Sequence, residues 1–244
     1  MRCMQDTKRA YAERHGYAFF DEAGIPPFKW DMLPMYKHMA HVSGQFRKLQ
    51  YLLYLMHAHP GIEWFLWLDG DAMVTNPNVT VEARLQALGT MFRIGGNFVP
   101  ERNMHLVIAT DITVWNSGVF LIRNTLLGQH MLHLAWGTAA SGPGADDQQS
   151  LIKALTAAER SNPLLKHVCS LRVKDMPLLQ SYHEDKLEEL YAEPFKTGFM
   201  KGYGPPPWQP DHWVLHLVNW HWTRRAQLLA KYGMCNATSS SFIG

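Results

Sequence analysis

Apolar and polar residues along this chain alternate between two patterns, helical stripes and short unbroken apolar runs. From Gln5 to His15 the run QDTKRAYAERH favours helix, Gly16 supplies a stop, and Tyr17-Ala18-Phe19-Phe20 predicts a short strand. Residues 21–42 hold Pro26, Pro27 and Pro34 among scattered aromatics and read as loop. A helix follows from Gly44 to His57, with Phe46, Leu49, Leu53 and Met56 at the spacing of a core-facing stripe. Pro60-Gly61 then turns the chain into Trp64-Phe65-Leu66-Trp67-Leu68, an unbroken apolar run that predicts a strand buried on both faces. Beyond it the pattern gives a helix over Val81 to Leu88, strands at Met91 to Ile94, Leu106 to Ala109 and Val119 to Arg123, and a helix from Thr125 to Trp136. A small-residue loop from Gly137 to Ala145 leads into a helix through Ala158, and strands are expected at His167 to Val173 and Trp213 to Val218. A Gly/Pro-rich loop, Gly198 to Pro210, lies between those two strands, and a helix carrying Arg224, Arg225 and Lys231 closes the fold. Strand and helix alternate without an internal repeat, so the class is α/β.

The central apolar run stops at Asp69-Gly70-Asp71. In a parallel α/β sheet, ligands sit beyond the carboxyl ends of strands, which is where these two acids would emerge. Successive strand residues point to opposite faces, so both carboxylates reach one cation only if the chain turns there, and Gly70 permits a turn. Hard divalent ions such as Mg²⁺ or Mn²⁺ take one or two carboxylates together with phosphate oxygens, so the pattern points to a metal–diphosphate site. An isolated Asp-x-Asp is common on surfaces. Its position after an apolar strand is what singles this one out, because unpaired carboxylates there need a counter-ion. A second acidic cluster, Asp146-Asp147-Gln148-Gln149, opens a helix, where capping of free N–H groups is an equally good account of it. His216, in mid-strand, is by itself more often a satisfied core residue than a ligand.

Composition narrows the classes. With 244 residues and 47% hydrophobic content the chain can bury one substantial core, and one mixed domain is the simplest count. A net charge of +2 from 23 basic and 21 acidic residues is too balanced for a nucleic-acid surface or a polybasic membrane patch. Cys3, Cys169 and Cys235 are far apart without metal-type spacing, so at most one bridge can form. Asn78-Val79-Thr80 and Asn236-Ala237-Thr238 match the N-glycosylation acceptor pattern. The first twenty residues carry charges throughout, and no stretch reaches the roughly 18 apolar residues of a membrane span.

Several stretches in fixed order resemble one family. They are Lys8-Arg9-Ala10-Tyr11-Ala12 with His15-Gly16-Tyr17, then Lys48, Trp64 to Asp71, Asn116-Ser117-Gly118 running on to Asn124, Asp147-Gln148 and His216. The set is similar to the retaining α-glycosyltransferases that include plant xyloglucan xylosyltransferases and fungal galactomannan and mannan galactosyl- and mannosyltransferases. The resemblance implies a GT-A fold: a single nucleotide-binding domain over residues 1–244, with a central, mostly parallel sheet. It also implies a nucleotide-sugar donor held through Mn²⁺ or Mg²⁺ and a glycan acceptor. Carried over, Asp69, Asp71 and His216 match the metal ligands, which reverses the bland reading of His216. Lys48, Gly70, Asp111, Asn116, Ser117 and Gly118 match the donor and sugar pocket, and Asp146, Asp147 and Gln148 match the group facing the anomeric carbon. Relatives place a lysine near the diphosphate five residues beyond the histidine, where this chain has His221, so Arg224 or Arg225 is the expected substitute. They also carry a strand upstream of Lys8, together with a membrane anchor for the Golgi lumen. Both are expected upstream and missing here, as in a truncated domain. Some form dimers. Two other classes stay open at this level: a degenerate scaffold with the same fold that binds glycan without turnover, and a haloacid-dehalogenase-like phosphatase. Against the second, Met73 stands where that class has Thr or Val.

Overall fold

A computed structural model describes residues 2–21, 47–91, 93–94, 97–98, 103–110, 115–139, 147–156, 163–192, 205–217 and 222–231. Helix α1, Arg2–His15, ends where Gly16 takes a left-handed φ of 69°. There Tyr17 N donates to Ala12 O at 2.8 Å and Gly16 N to Glu13 O at 3.3 Å, closing the helix on a residue without a Cβ penalty. Tyr17 to Phe20, expected as a strand, joins no ladder. Helix α2, Arg47–Ala58, buries Leu49, Leu53 and Met56 as its stripe predicts, and Leu52 and Leu55 besides; Phe46 lies outside the described residues.

Strands β1 (Trp64–Leu68) and β2 (Ala72–Val74) come next. Helix α3 (Val81–Met91) and a two-strand hairpin, β3 (Arg93–Ile94) with β4 (Asn97–Phe98), lead to β5 (Leu106–Thr110) and β6 (Trp115–Arg123). Helices α4 (Leu126–Ala139) and α5 (Asp147–Thr156) precede β7 (Val168–Leu171), which two 3-10 turns flank. The last elements are α6 (Glu184–Ala192), β8 (Val214–His216) and α7 (Trp222–Lys231). The expected strand at Met91 to Ile94 is only its last two residues, because α3 runs on through Met91.

The main sheet has the order β1-β6-β5-β7. β6 is antiparallel to both β1 and β5, while β7 is parallel to β5. Three strands therefore point one way with β6 reversed among them, a mixed sheet of the GT-A-like kind. The apolar run expected to be buried on both faces behaves differently. In β1 only Phe65 is buried, whereas eight of the nine residues of β6 are. β1 lies at the border of the sheet, whereas β6, like β5, is paired on both sides. Side chains alternate between two cores. Leu106, Ile108, Phe120 and Ile122 pack with α2, α4 and α5 on one face, and Val107, Ala109, Val119 and Leu121 pack with Tyr11, Leu85, Leu88 and Trp213 on the other.

Along the border of β1 opposite β6 lies a cavity of about 500 Å³. One wall is Trp64 to Leu68 and the other the Tyr17–Phe20 segment, with Lys8 and Tyr11 of α1, Leu52 and Leu55 of α2 and Leu85 of α3 closing it. The Tyr17–Phe20 segment thus lies across this cavity from β1 without joining it in a ladder.

Candidate functional site

The apolar strand β1 delivers Asp69 to the edge of the molecule's acidic turn. Its backbone stays with the sheet, since Asp69 N donates to Gly118 O at 2.8 Å, and the turn closes where Ala72 N donates to Asp69 O at 2.9 Å. The chain then enters β2, which runs antiparallel to β8 with Ala72 opposite His216. Leu217 N donates to Asp71 O at 2.9 Å, so the ladder itself sets the imidazole beside the second aspartate. Ligand atoms of Asp69, Asp71 and His216 all lie within 4.8 Å of one another. Two hard carboxylates and one imidazole suit a divalent ion such as Mn²⁺.

Each aspartate has its own cation. His216 Nε2 lies 3.2 Å from Asp71 Oδ1, and Arg225 of α7 donates to Asp71 Oδ2 at 3.0 Å. Burial alone would raise the Asp71 carboxyl, but the hydrogen bond and charge of His216, with the Arg225 charge, outweigh it and hold the group below the usual carboxylate range. Asp69 Oδ1 accepts from Trp67 Nε1 at 2.6 Å and from Lys48 Nζ at 3.0 Å. Lys48 also lies 2.7 Å from Asp147 Oδ2 and donates to Ser117 O at 3.1 Å. Burial works against its charge, yet Asp69 and Asp147 more than compensate, so the ammonium is held above its ordinary range. One buried lysine from α2 thereby ties the end of β1 to the start of α5.

The Asn-Ser-Gly segment meets this lysine through a slip in the sheet. Ile108 faces Phe120 while Ala109 faces Asn116, so Ser117, Gly118 and Val119 bulge from the β5 ladder. Ser117 Oγ donates to Asp147 Oδ2, and Ser117 N donates to Gln148 Oε1 at 3.2 Å. Asn116 Oδ1 accepts from Gly118 N at 2.9 Å, and its Nδ2 donates to Tyr182 OH at 2.8 Å. Gly118 has a steric reason: a Cβ there would stand 2.0 Å from His216 Cε1. Lys8, from α1, donates to Asp69 O at 2.6 Å and Leu68 O at 3.2 Å. Its burial pulls the ammonium down to about 8, with Asp69, Asp71 and Asp21 offsetting part of the effect.

Of the residues singled out from sequence, Asp69, Asp71, His216, Lys48, Asn116, Ser117, Gly118, Asp147 and Gln148 converge on this one place. Gly70 is exposed in the turn between the aspartates. Asp111, Asp146 and His221 lie outside the described residues. Between the two arginines the geometry selects Arg225, because Arg224 pairs with Glu189 and Asp185 instead. Trp67, Gln180 and Tyr182 were not anticipated. Only Trp67, two residues from Asp69 and so on the same strand face, had a signal in the sequence. Cys3 is disulfide-bonded and Cys169 is a free, buried thiol, within the limit of at most one bridge. Among the described residues no helix is long and apolar enough to cross a membrane.

Residues 1–92 match the model of the galactosyl transferase GMA12/MNN10 family. The chain is 28% identical over 160 residues to an uncharacterized alpha-1,2-galactosyltransferase of Schizosaccharomyces pombe, covering 54% of this chain and 38% of that one. It is 27% identical over 145 residues to the probable alpha-1,6-mannosyltransferase MNN10 of Saccharomyces cerevisiae (54% and 35%), and 28% over 170 residues to xyloglucan 6-xylosyltransferase 4 of Arabidopsis thaliana (66% and 30%). The chain thus spans less than two fifths of the length of these relatives. Among solved structures, a glycosyltransferase involved in the glycosylation of the major capsid of PBCV-1 superposes with a TM-score of 0.58 at 16% identity, over 94% of this chain and 91% of that one. That likeness is one of fold.

Proposed function

Starting from its resemblance to the GMA12/MNN10 glycosyltransferases, we propose that this chain is the nucleotide-sugar-binding domain of a metal-dependent, retaining glycosyltransferase. It moves a hexose or pentose from a nucleoside-diphosphate sugar to a glycan acceptor. The observation that carries this reading is the convergence of Asp69, Asp71 and His216 within 4.8 Å, from two strands far apart in sequence. Mn²⁺ held by those side chains would supply Lewis-acid stabilisation of the charge that builds on the departing diphosphate.

The remaining roles belong to the chain. Arg225, already on Asp71, is the cation that faces the diphosphate where relatives use a lysine. Asp147 is buried between Lys48 and Ser117, so its part is to fix the pocket. The partly exposed Gln148 offers its amide oxygen to the sugar as positive charge develops at the anomeric carbon. Both retaining routes, a covalent glycosyl-enzyme and same-face attack with the leaving phosphate as base, fit this assignment. A disulfide at Cys3 suits the oxidising lumen of the Golgi, where an upstream anchor and a dimeric state would belong to the longer protein.

A donor screen that reads nucleotide release from UDP-xylose, UDP-galactose and GDP-mannose tests the reading. Release with one donor in Mn²⁺, lost in Asp71→Asn and in chelator, is the expected result. Silence with every donor, together with no Mn²⁺-dependent binding of UDP or GDP, would sink it and favour the non-catalytic scaffold.

A further inference from the structure

The acceptor triplet Asn78-Val79-Thr80 has no part in the site described above. It folds into the turn between β2 and α3. Val79 N donates to Asn76 O at 3.4 Å and Asn78 N to Asn76 Oδ1 at 3.1 Å, so Pro77 and Asn78 form the tip, and both are exposed. The base of the turn is pinned to the body of the fold. Thr75 N and Asn76 N donate to Trp213 O at 2.9 and 3.2 Å, Asn76 Nδ2 donates to Asp211 O at 2.8 Å, and Tyr11 OH donates to Val79 O at 2.9 Å. In the β2–β8 ladder Ala72 pairs with His216 at one end and Val74 with Val214 at the other, next to this turn. A group on the tip is therefore carried at the end of the ladder away from the acids.

We propose that Asn78 is a site of N-linked glycosylation, filled as the chain passes through an oxidising lumen. Arg14 fixes the orientation of the side-chain amide, because a guanidinium has donors only and it reaches Asn78 Oδ1 at 2.6 Å. Asn78 Nδ2, the atom that glycosylation uses, makes no hydrogen bond among the described residues. A luminal oligosaccharyl transferase brings a polyprenyl-diphosphate-linked oligosaccharide. Nδ2 forms a bond to C1 of the first sugar, the C1–O bond breaks with its electron pair leaving on the diphosphate, and one amide proton is released. Oδ1 keeps its lone pairs, so the contact from Arg14 survives the addition. Thr80 has a structural role of its own, since its Oγ1 accepts from Ala83 N at 3.0 Å and caps α3. Two residues beyond Asn78, it also supplies the hydroxyl that the acceptor pattern requires. The disulfide at Cys3 is an independent sign of the compartment in which such transfer takes place. The inference needs only a luminal chain and stands apart from the metal-dependent reading above.

The full chain, expressed in a eukaryotic cell behind a cleavable secretory leader and isolated with the leader removed, gives the test. Digestion with peptide-N-glycosidase in H₂¹⁸O should produce a downward step in electrophoretic mobility mass, and mass spectrometry should find the Asn78 peptide deamidated with ¹⁸O at that residue. This mapping is made on the wild type, so no variant has to fold for it to be read. Asn78→Gln should lose the step, and so should Thr80→Val, which removes the hydroxyl. Thr80→Ser keeps both the cap and the hydroxyl and should retain the step, as should Asn236→Gln, which removes the other acceptor. An Asn78 peptide recovered wholly unmodified from the leader-free chain overturns the proposal, whatever is found at Asn236. So does a step that persists unchanged in Asn78→Gln and vanishes in Asn236→Gln.

Discussion

At the scale of single residues, the missing side chain of Gly118 is the tightest constraint on the site. A methyl group there would stand 2.0 Å from His216 Cε1, and His216 is held behind by Gln180, so the ring has nowhere to retreat. Gly118→Ala should leave secondary structure intact by circular dichroism while weakening Mn²⁺ binding at least about tenfold, since a misplaced ligand costs as much as a lost outer-shell contact. Two charged residues at the site contribute to the pH dependence of the fold in opposite senses. Asp71 is held low in the folded protein, so its stabilisation is full above the usual carboxylate value near 3.9 and is lost as pH falls through the lower folded value. Lys8 has the opposite sense. Its ammonium is depressed to about 8 from 10.5, so the penalty for burying it is present below pH 8 and is relieved as pH rises towards 10.5. Urea unfolding of wild type against Lys8→Met should show the wild type gaining on the order of 2 kcal/mol across that window. The sequence displayed the two aspartates because an apolar run ended on them, and the family order supplied His216. Gln180 left no trace, because a glutamine after a leucine pair looks like any other until β8 is folded against the turn, and Arg225 could not be told from its neighbour Arg224 until α7 was in place.

Among the elements, the strands show what a hydrophobic pattern can and cannot report. An unbroken apolar run says that a strand is covered by other layers. It says nothing about whether a second strand lies alongside, so β1 read as central although β6 and β5 hold that place. The slip at Ser117 to Val119 was equally silent, since a bulge changes pairing and not composition. Helix ends fared better, and Gly16 is the example. Its left-handed φ is a position where any Cβ is strained, although space is open around it. Gly16→Ala should therefore destabilise by about 1 kcal/mol through the backbone alone, a drop of a few degrees in thermal unfolding, with the aromatic contacts of Tyr11 and Tyr17 retained.

For the molecule as a whole, the site is assembled by cations that belong to the protein. Lys48 joins β1 to α5, and Arg225 joins α7 to the turn after β1. The acids therefore have partners supplied by the chain itself. Chelation should abolish nucleotide release from the donor yet shift the melting temperature by less than about 3 °C, a contrast with metal-nucleated domains. The α/β class and the alternation of strand and helix were legible from the chain. The mixed direction of the sheet was not, because strand direction is set by connections whose length the pattern leaves open.

The gap beside β1 has a practical reach. Gln5 and Lys8 of α1 form part of its wall, and Lys8 touches the carbonyl of Asp69, so one helix borders both the aromatic trough and the acidic turn. A bulky side chain in place of Gln5 would therefore fill part of the trough and be felt, through the same helix, at the turn. Donor affinity in Gln5→Trp should accordingly differ from that of the wild type, a direct reading of how firmly the trough is coupled to the turn.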